Sequence, residues 1–208
     1  MRFEAIMDIL IKAAKSWVNI SKSMYIVTYG KSRILYTVKL VFENLDFYHL
    51  AGFQYLTDLD LPAVPQSKMI DTILNAQISG EYIKHSKKYS SMVEPRLLAL
   101  VDLEYSLDND FKMSKYNPTV YPFYTSMRTP EYLIEGKTLD NSLFFFTIKV
   151  EECYNGMSIF IKGDKDFSIN HRPLSILKKE KVSLDTQSIT ILYDKLATQK
   201  PLSGKTKS

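Results

Sequence analysis

The stretch Asp46-Phe47-Tyr48-His49-Leu50-Ala51-Gly52-Phe53 places a side chain able to move protons within an apolar frame. At roughly 100° per residue, a helix running to about Leu56 sets His49, Phe53 and Leu56 on one face, with Gly52 beside His49. Gly52 lacks a Cβ, so another backbone or a ligand can approach the imidazole closely. Asn44 or Asp46 can cap the helix start. The other candidates are spread along the chain. Lys149, Ser158, Lys178 and Lys179 fall in strand-like segments, and Arg96 stands at the start of a helical pattern. The helix macrodipole disfavours a cation there. Arg96 is therefore read either as paired with an acid such as Glu94, the more economical reading, or as a phosphate contact. Together these residue types suit RNA cleavage without a metal. That reaction needs a base for the 2′-OH, an acid for the leaving oxygen and cations for charge on phosphate. A hydroxyl can hold a phosphate oxygen, and aromatic rings can stack a base. Taken singly, a histidine among apolar neighbours is more often a hydrogen-bonded core residue, and strand lysines more often face solvent.

Other chemistries find little support. The only cysteine is Cys153, which excludes an intrachain disulfide, suits a reducing compartment and follows two carboxylates, a poor setting for a reactive thiolate. One cysteine and three scattered histidines (His49, His85, His171) do not make a zinc signature. No metal or cofactor is expected. Gly30-Lys31-Ser32 resembles the end of a phosphate-binding loop, but Tyr25 stands where the upstream glycine is required and no helix follows. Asp58 with Asp60, and Glu151 with Glu152, read as solvated loop acids. His85, among Lys84, Lys87 and Lys88, reads as a surface residue. The net charge of +4 tilts only mildly towards anionic partners. No run approaches the ~20 apolar residues of a membrane span, and Ile9-Leu10-Ile11 is too short for a leader.

The elements that must position these residues follow from periodicity. Phe3 to Ser21 has helical spacing through Leu10, Ala13, Ala14 and Trp17. Met24–Tyr29 and Arg33–Phe42 read as a β-hairpin around Gly30-Lys31-Ser32. After the His49 helix, Ser67 can cap a helix carrying Ile70 and Ile73, which Ser79-Gly80 ends. A longer helix begins at Pro95 and runs through Leu107, ringed by apolar side chains and so central. Residues 108–130 are rich in turns. Strands follow at 132–134, 142–150, from 156, 174–182 and 188–193. The expected class is α+β, an antiparallel sheet packed against a helical layer with an N-terminal helix. Residues 1–197 form one domain, and 198–208 a disordered basic tail.

Phe47-Tyr48-His49-Leu50-Ala51-Gly52 after a hairpin resembles the His-Leu-x-Gly branch of the phage-associated barnase–EndoU–colicin–RelE-like nucleases. Ser158-Ile159-Phe160 stands in the place of a Ser-Phe-Phe-like strand and Asp166-Phe167 in that of an Asp-Tyr turn. Leu174 to Val182 stands in that of a strand rich in Leu and Lys. The departures are Ile159 for an aromatic and Phe167 for a tyrosine. The resemblance runs from about Met24 to Tyr193. It implies a toxin-like RNase of a phage or other mobile element, acting in the bacterial or host-cell cytoplasm on RNA, with a neutralising or host protein as a further partner. Motif order and sheet-face assignments together make His49, Lys149, Ser158 and Lys178 the expected catalytic set, and Arg96 and Lys179 the expected substrate contacts. The alternative is a non-catalytic accessory, anti-defence or regulatory binding protein on the same fold.

Overall fold

The computed structural model describes residues 8–197. Helix α1 (Ile9–Ile20) buries Leu10, Ala13, Ala14, Trp17 and Ile20, the stripe its spacing dictates. Asp8 starts it: one carboxylate oxygen accepts from the Leu10 amide at 2.9 Å and the other from the Gly80 amide at 2.6 Å. The same side chain thus caps α1 and pins it to a distant turn. Residues 3–7 of the expected helix and the tail from 198 lie outside the described residues.

Strands β1 (Ser23–Lys31) and β2 (Ile34–Leu40) form the hairpin. The turn is Ser32-Arg33, both with positive φ (50° and 67°), a twist that matches the flanking strands. Gly30, expected in the turn, is instead a strand residue paired with Leu35. Helix α2 (Asp46–Leu50) follows and is shorter than expected. Gly52 adopts φ 85° and ends the helical run, and Phe53–Tyr55 continues only as a 3-10 turn. His49 and Phe53 therefore do not share a continuous helix face. Helices α3 (Met69–Leu74) and α4 (Gly80–Ile83) come next. Ser79 opens α4 by accepting from the Tyr82 amide rather than closing α3.

A π-helical turn, Tyr89–Val93, runs directly into α5 (Glu94–Asp108). This helix packs on α1 and on the sheet, as its central place requires. It is not apolar all round: Leu98 and Tyr105 face solvent, while Arg96 and Ser106 are buried.

The remaining strands are β3 (Lys112–Lys115), β4 (Tyr132–Lys137), β5 (Ser142–Val150), β6 (Cys153–Ile161), β7 (Ser175–Ser183) and β8 (Ile189–Asp194). They join the hairpin in one eight-stranded sheet of order β3-β4-β5-β6-β2-β1-β7-β8. The pairings are antiparallel except β2 with β6, which meet only at Leu40 and Tyr154. Past that point α2 and α5 pack on β6. The sheet curls. The Leu174 amide reaches the Met113 carbonyl at 2.7 Å, bringing β3 against the segment that leads into β7. The fold is α+β. Both faces of β5 are buried. Leu143 and Phe145 join the main core with Trp17, Phe47 and Leu100, while Phe144 and Phe146 meet Phe167 in a second cluster under residues 116–127.

Candidate functional site

Arg96 is the most unusual side chain in the protein. It is 8% exposed, and its only hydrogen-bond acceptor among the described residues is the Met92 carbonyl, at 2.6 Å. No carboxylate pairs with it there, so the expected ion pair with Glu94 is not formed. The guanidinium lies over the Tyr55 ring at 5.0 Å and the Phe160 ring at 5.7 Å. Burial pushes its pKa below the usual arginine value. The chain builds this position from three directions. The π-turn aims the Met92 carbonyl at Arg96. Gly52 leaves room for both: a Cβ at position 52 would sit 2.9 Å from that carbonyl oxygen and 3.1 Å from Arg96 Cδ. The third wall is β6.

Arg96 opens onto a cleft of about 590 Å³ whose walls include Tyr55, Tyr124, Thr125, Ser158, Phe160 and Lys165. Ser158 and Arg96 are thus brought to one site. The intervening Ile159 turns into the core, fully buried opposite Phe145. The residue expected to be aromatic is therefore a packing residue. Phe167 also lines the cleft. It is the hub of the second cluster, within ring-contact distance of Phe123, Phe144, Phe146 and Phe160. At the adjoining turn, burial raises the Asp166 carboxyl. The Lys162 ammonium at 2.7 Å and the Ser168 hydroxyl and amide outweigh this and hold its pKa at about 2.

The other candidates stand apart from this cleft. His49 is exposed on α2, its ring edge-on to Tyr48 at 5.4 Å, and is not among the residues lining the cleft. Its carbonyl, however, accepts from the Gly52 amide at 3.1 Å, so its backbone lies one turn from the residue that touches Arg96. Asp46, three residues before it, reaches back to the Glu43 amide and accepts from Asn155 of β6 at 3.2 Å. Burial raises the Asp46 carboxyl, against the lowering effect of Asn155 and of His49 itself. Lys149 is exposed near the end of β5, opposite Tyr154 and four residues along β6 from Ser158, roughly 13 Å of strand. Lys178 on β7 donates to Glu180 at 2.7 Å. Lys179 is 4% exposed, donates to the Asn109 carbonyl and lies over Phe111 at 4.7 Å. Two strands, β2 and β1, separate both lysines from β6. Sequence reasoning passed over Tyr55 and Tyr124. Only the general abundance of aromatics, 14 Tyr and 11 Phe, pointed that way.

With this geometry in view, the comparison with known families is decisive. The pattern that defines the phage-Barnase-EndoU-ColicinE5/D-RelE like nuclease 4 family matches residues 9–200. The chain belongs to this family. No curated protein and no solved structure matches it. Membership makes the chain a nuclease-family protein whose ligand class is nucleic acid. It also gives the Arg96 cleft a chemical context, since a buried arginine without an acid is what a phosphate would meet. Among the described residues, no helix is long and apolar enough to cross a membrane.

Proposed function

We propose that the protein is a metal-independent endoribonuclease, toxin-like and carried by a phage or other mobile element, and that the Arg96 cleft holds the scissile phosphate. The observation that carries this reading is a buried guanidinium with no carboxylate in ion-pair reach among the described residues, lining one cleft of about 590 Å³ together with Ser158. In the reaction the 2′-oxygen attacks phosphorus and the bond to the 5′-oxygen breaks. A base takes the 2′-OH proton and an acid returns one to the leaving oxygen. Arg96 stabilises charge on the phosphate and Ser158 donates to one of its oxygens. His49 is assigned the proton transfer; in this structure it is exposed on α2, outside the residues that line the cleft. Lys149 supplies a mobile cation from the end of β5. Lys178 can do the same only by leaving Glu180. Lys179 contributes to the field from beneath.

Purified protein should cleave single-stranded RNA in EDTA, and His49→Ala and Ser158→Ala should each slow it. Equal rates in wild type and His49→Ala would remove His49 from the mechanism. A second reading, a non-catalytic binding or regulatory protein, draws on one observation: none of the three histidines lines this cleft. RNA retained but never cut by the wild-type protein would favour it.

A further inference from the structure

The cleft has an aromatic rim as well as a cationic floor. Residues 121–131 contain no helix or strand, yet the segment is tied down. The Tyr116 hydroxyl donates to the Met127 carbonyl at 3.0 Å, the Met127 amide to Thr125 Oγ1 at 3.2 Å, and Lys165 Nζ to the Tyr124 carbonyl at 3.3 Å. Thr125 is buried. On this fixed backbone Tyr124 is 76% exposed, although it is a large aromatic at the wall of a cleft. The Arg128 guanidinium lies over the ring at 5.7 Å. Among the described residues no aromatic ring packs on it, and leaving so much apolar surface in water is unfavourable. An exposed ring on a tethered backbone, lining one cleft with the Arg96 cation, matches what an unpaired base requires: stacking on one side and backbone contact nearby.

Resting on the reading of the Arg96 cleft as a phosphate site, we infer that Tyr124 is a base-stacking platform and that the substrate class is single-stranded RNA presenting a splayed-out base next to the bound phosphate. Bases in an intact duplex keep their faces stacked on one another, so a paired strand cannot offer one to Tyr124 without paying for unstacking. Arg128, over the ring, adds a second cation to this rim.

A short single-stranded RNA, 2′-O-methylated throughout so that it cannot be cut and carrying one 2-aminopurine, reads this directly by fluorescence titration of the full chain. Wild type should quench the fluorophore and bind the single strand more tightly than the same sequence in a duplex. Tyr124→Ala should raise Kd by about tenfold to a hundredfold, the range of one base–aromatic stack, and Tyr124→Phe should restore it. Replacing the fluorescent base by an abasic residue, with binding read by anisotropy of an end label, should cost wild type the same factor and leave Tyr124→Ala no worse. An unchanged Kd in Tyr124→Ala, an equal loss on the abasic strand, or equal affinity for the duplex would each overturn the proposal. Failure of the underlying reading looks different: Arg96→Met would then leave Kd unchanged.

Discussion

The two ends of α5 handle the cations beside them in opposite ways. At the C-terminal end Lys181 bonds to both Glu104 and Asp108 at 2.9 Å, and Asp108 also accepts from the Tyr25 hydroxyl at 2.5 Å. Burial alone would lower the Lys181 pKa, but the two carboxylates raise it. Lys179 donates to the Asn109 carbonyl just beyond the helix. Cations belong at this pole of the macrodipole, and each has its acceptor. At the N-terminal end the dipole repels Arg96, burial penalises it, and one main-chain carbonyl is its sole acceptor among the described residues. One end closes its charges into the fold, while the other leaves a charge unanswered at the wall of a cleft. Such a local conflict, in a helix otherwise consistent with its surroundings, is what the proposed phosphate contact at Arg96 would account for.

The contrast predicts different losses from equivalent substitutions. Arg96→Met should lower RNA cleavage by about a hundredfold or more, the scale for removing one donor to a developing oxyanion. Its midpoint of urea unfolding should stay at or slightly above wild type, because a buried unpaired charge is replaced by apolar volume. Lys181→Met should do the reverse. It strands Glu104 and Asp108 beside Tyr25, and because these charges are partly open to solvent the protein should lose about 1–2 kcal/mol of stability by the same titration. Comparable destabilisation by the two variants would erase the distinction between the ends.

Gly52 sharpens the same comparison, since it is the space that lets Arg96 and the Met92 carbonyl meet. Gly52→Ala combines a left-handed backbone with a Cβ 2.9 Å from that oxygen. It should cost about 2 kcal/mol, and its cleavage rate should fall more than its stability explains. A variant that unfolds earlier but cuts normally while folded would show that Arg96 does not depend on this corner.

How much of this was legible beforehand depends on the range of the interaction. Alternation and helical spacing are local signals, and they located α1, the hairpin, α5 and the later strands. Gly52 was read as a close approach but not as the helix stop it also is, although a glycine with positive φ just past a helix end is a local signal. That Ser158 and Arg96 line one cleft was not legible, since it depends on how α5 packs on β6 across a long stretch of chain. Lys178 and Glu180 lie on one strand face, so their ion pair was within reach of a period-two reading. The Asn109 acceptor of Lys179 was not.

The smallest predicted effect concerns the turn that forms the cleft's far wall. Asp166 has its pKa held at about 2 against an ordinary 3.8, with Lys162 and Ser168 as donors. A carboxylate whose folded pKa is depressed stabilises the fold above its unfolded pKa. That contribution fades as pH falls from about 4 to about 2. The ion pair is partly open, with Lys162 33% and Asp166 40% exposed, so screening limits it to under about 1 kcal/mol. Urea midpoints measured across that window should therefore decline slightly more steeply for wild type than for Asp166→Asn, and the two should converge at the acid end. The Lys162–Asp166 pair joins the last turn of β6 to the segment carrying Phe167, so its loss loosens one wall of the cleft rather than the core. If Asp166→Asn instead unfolded as readily as Lys181→Met at neutral pH, this wall would be part of the closed end's network. The division between a stabilising pole and a functional pole on α5 would then fail.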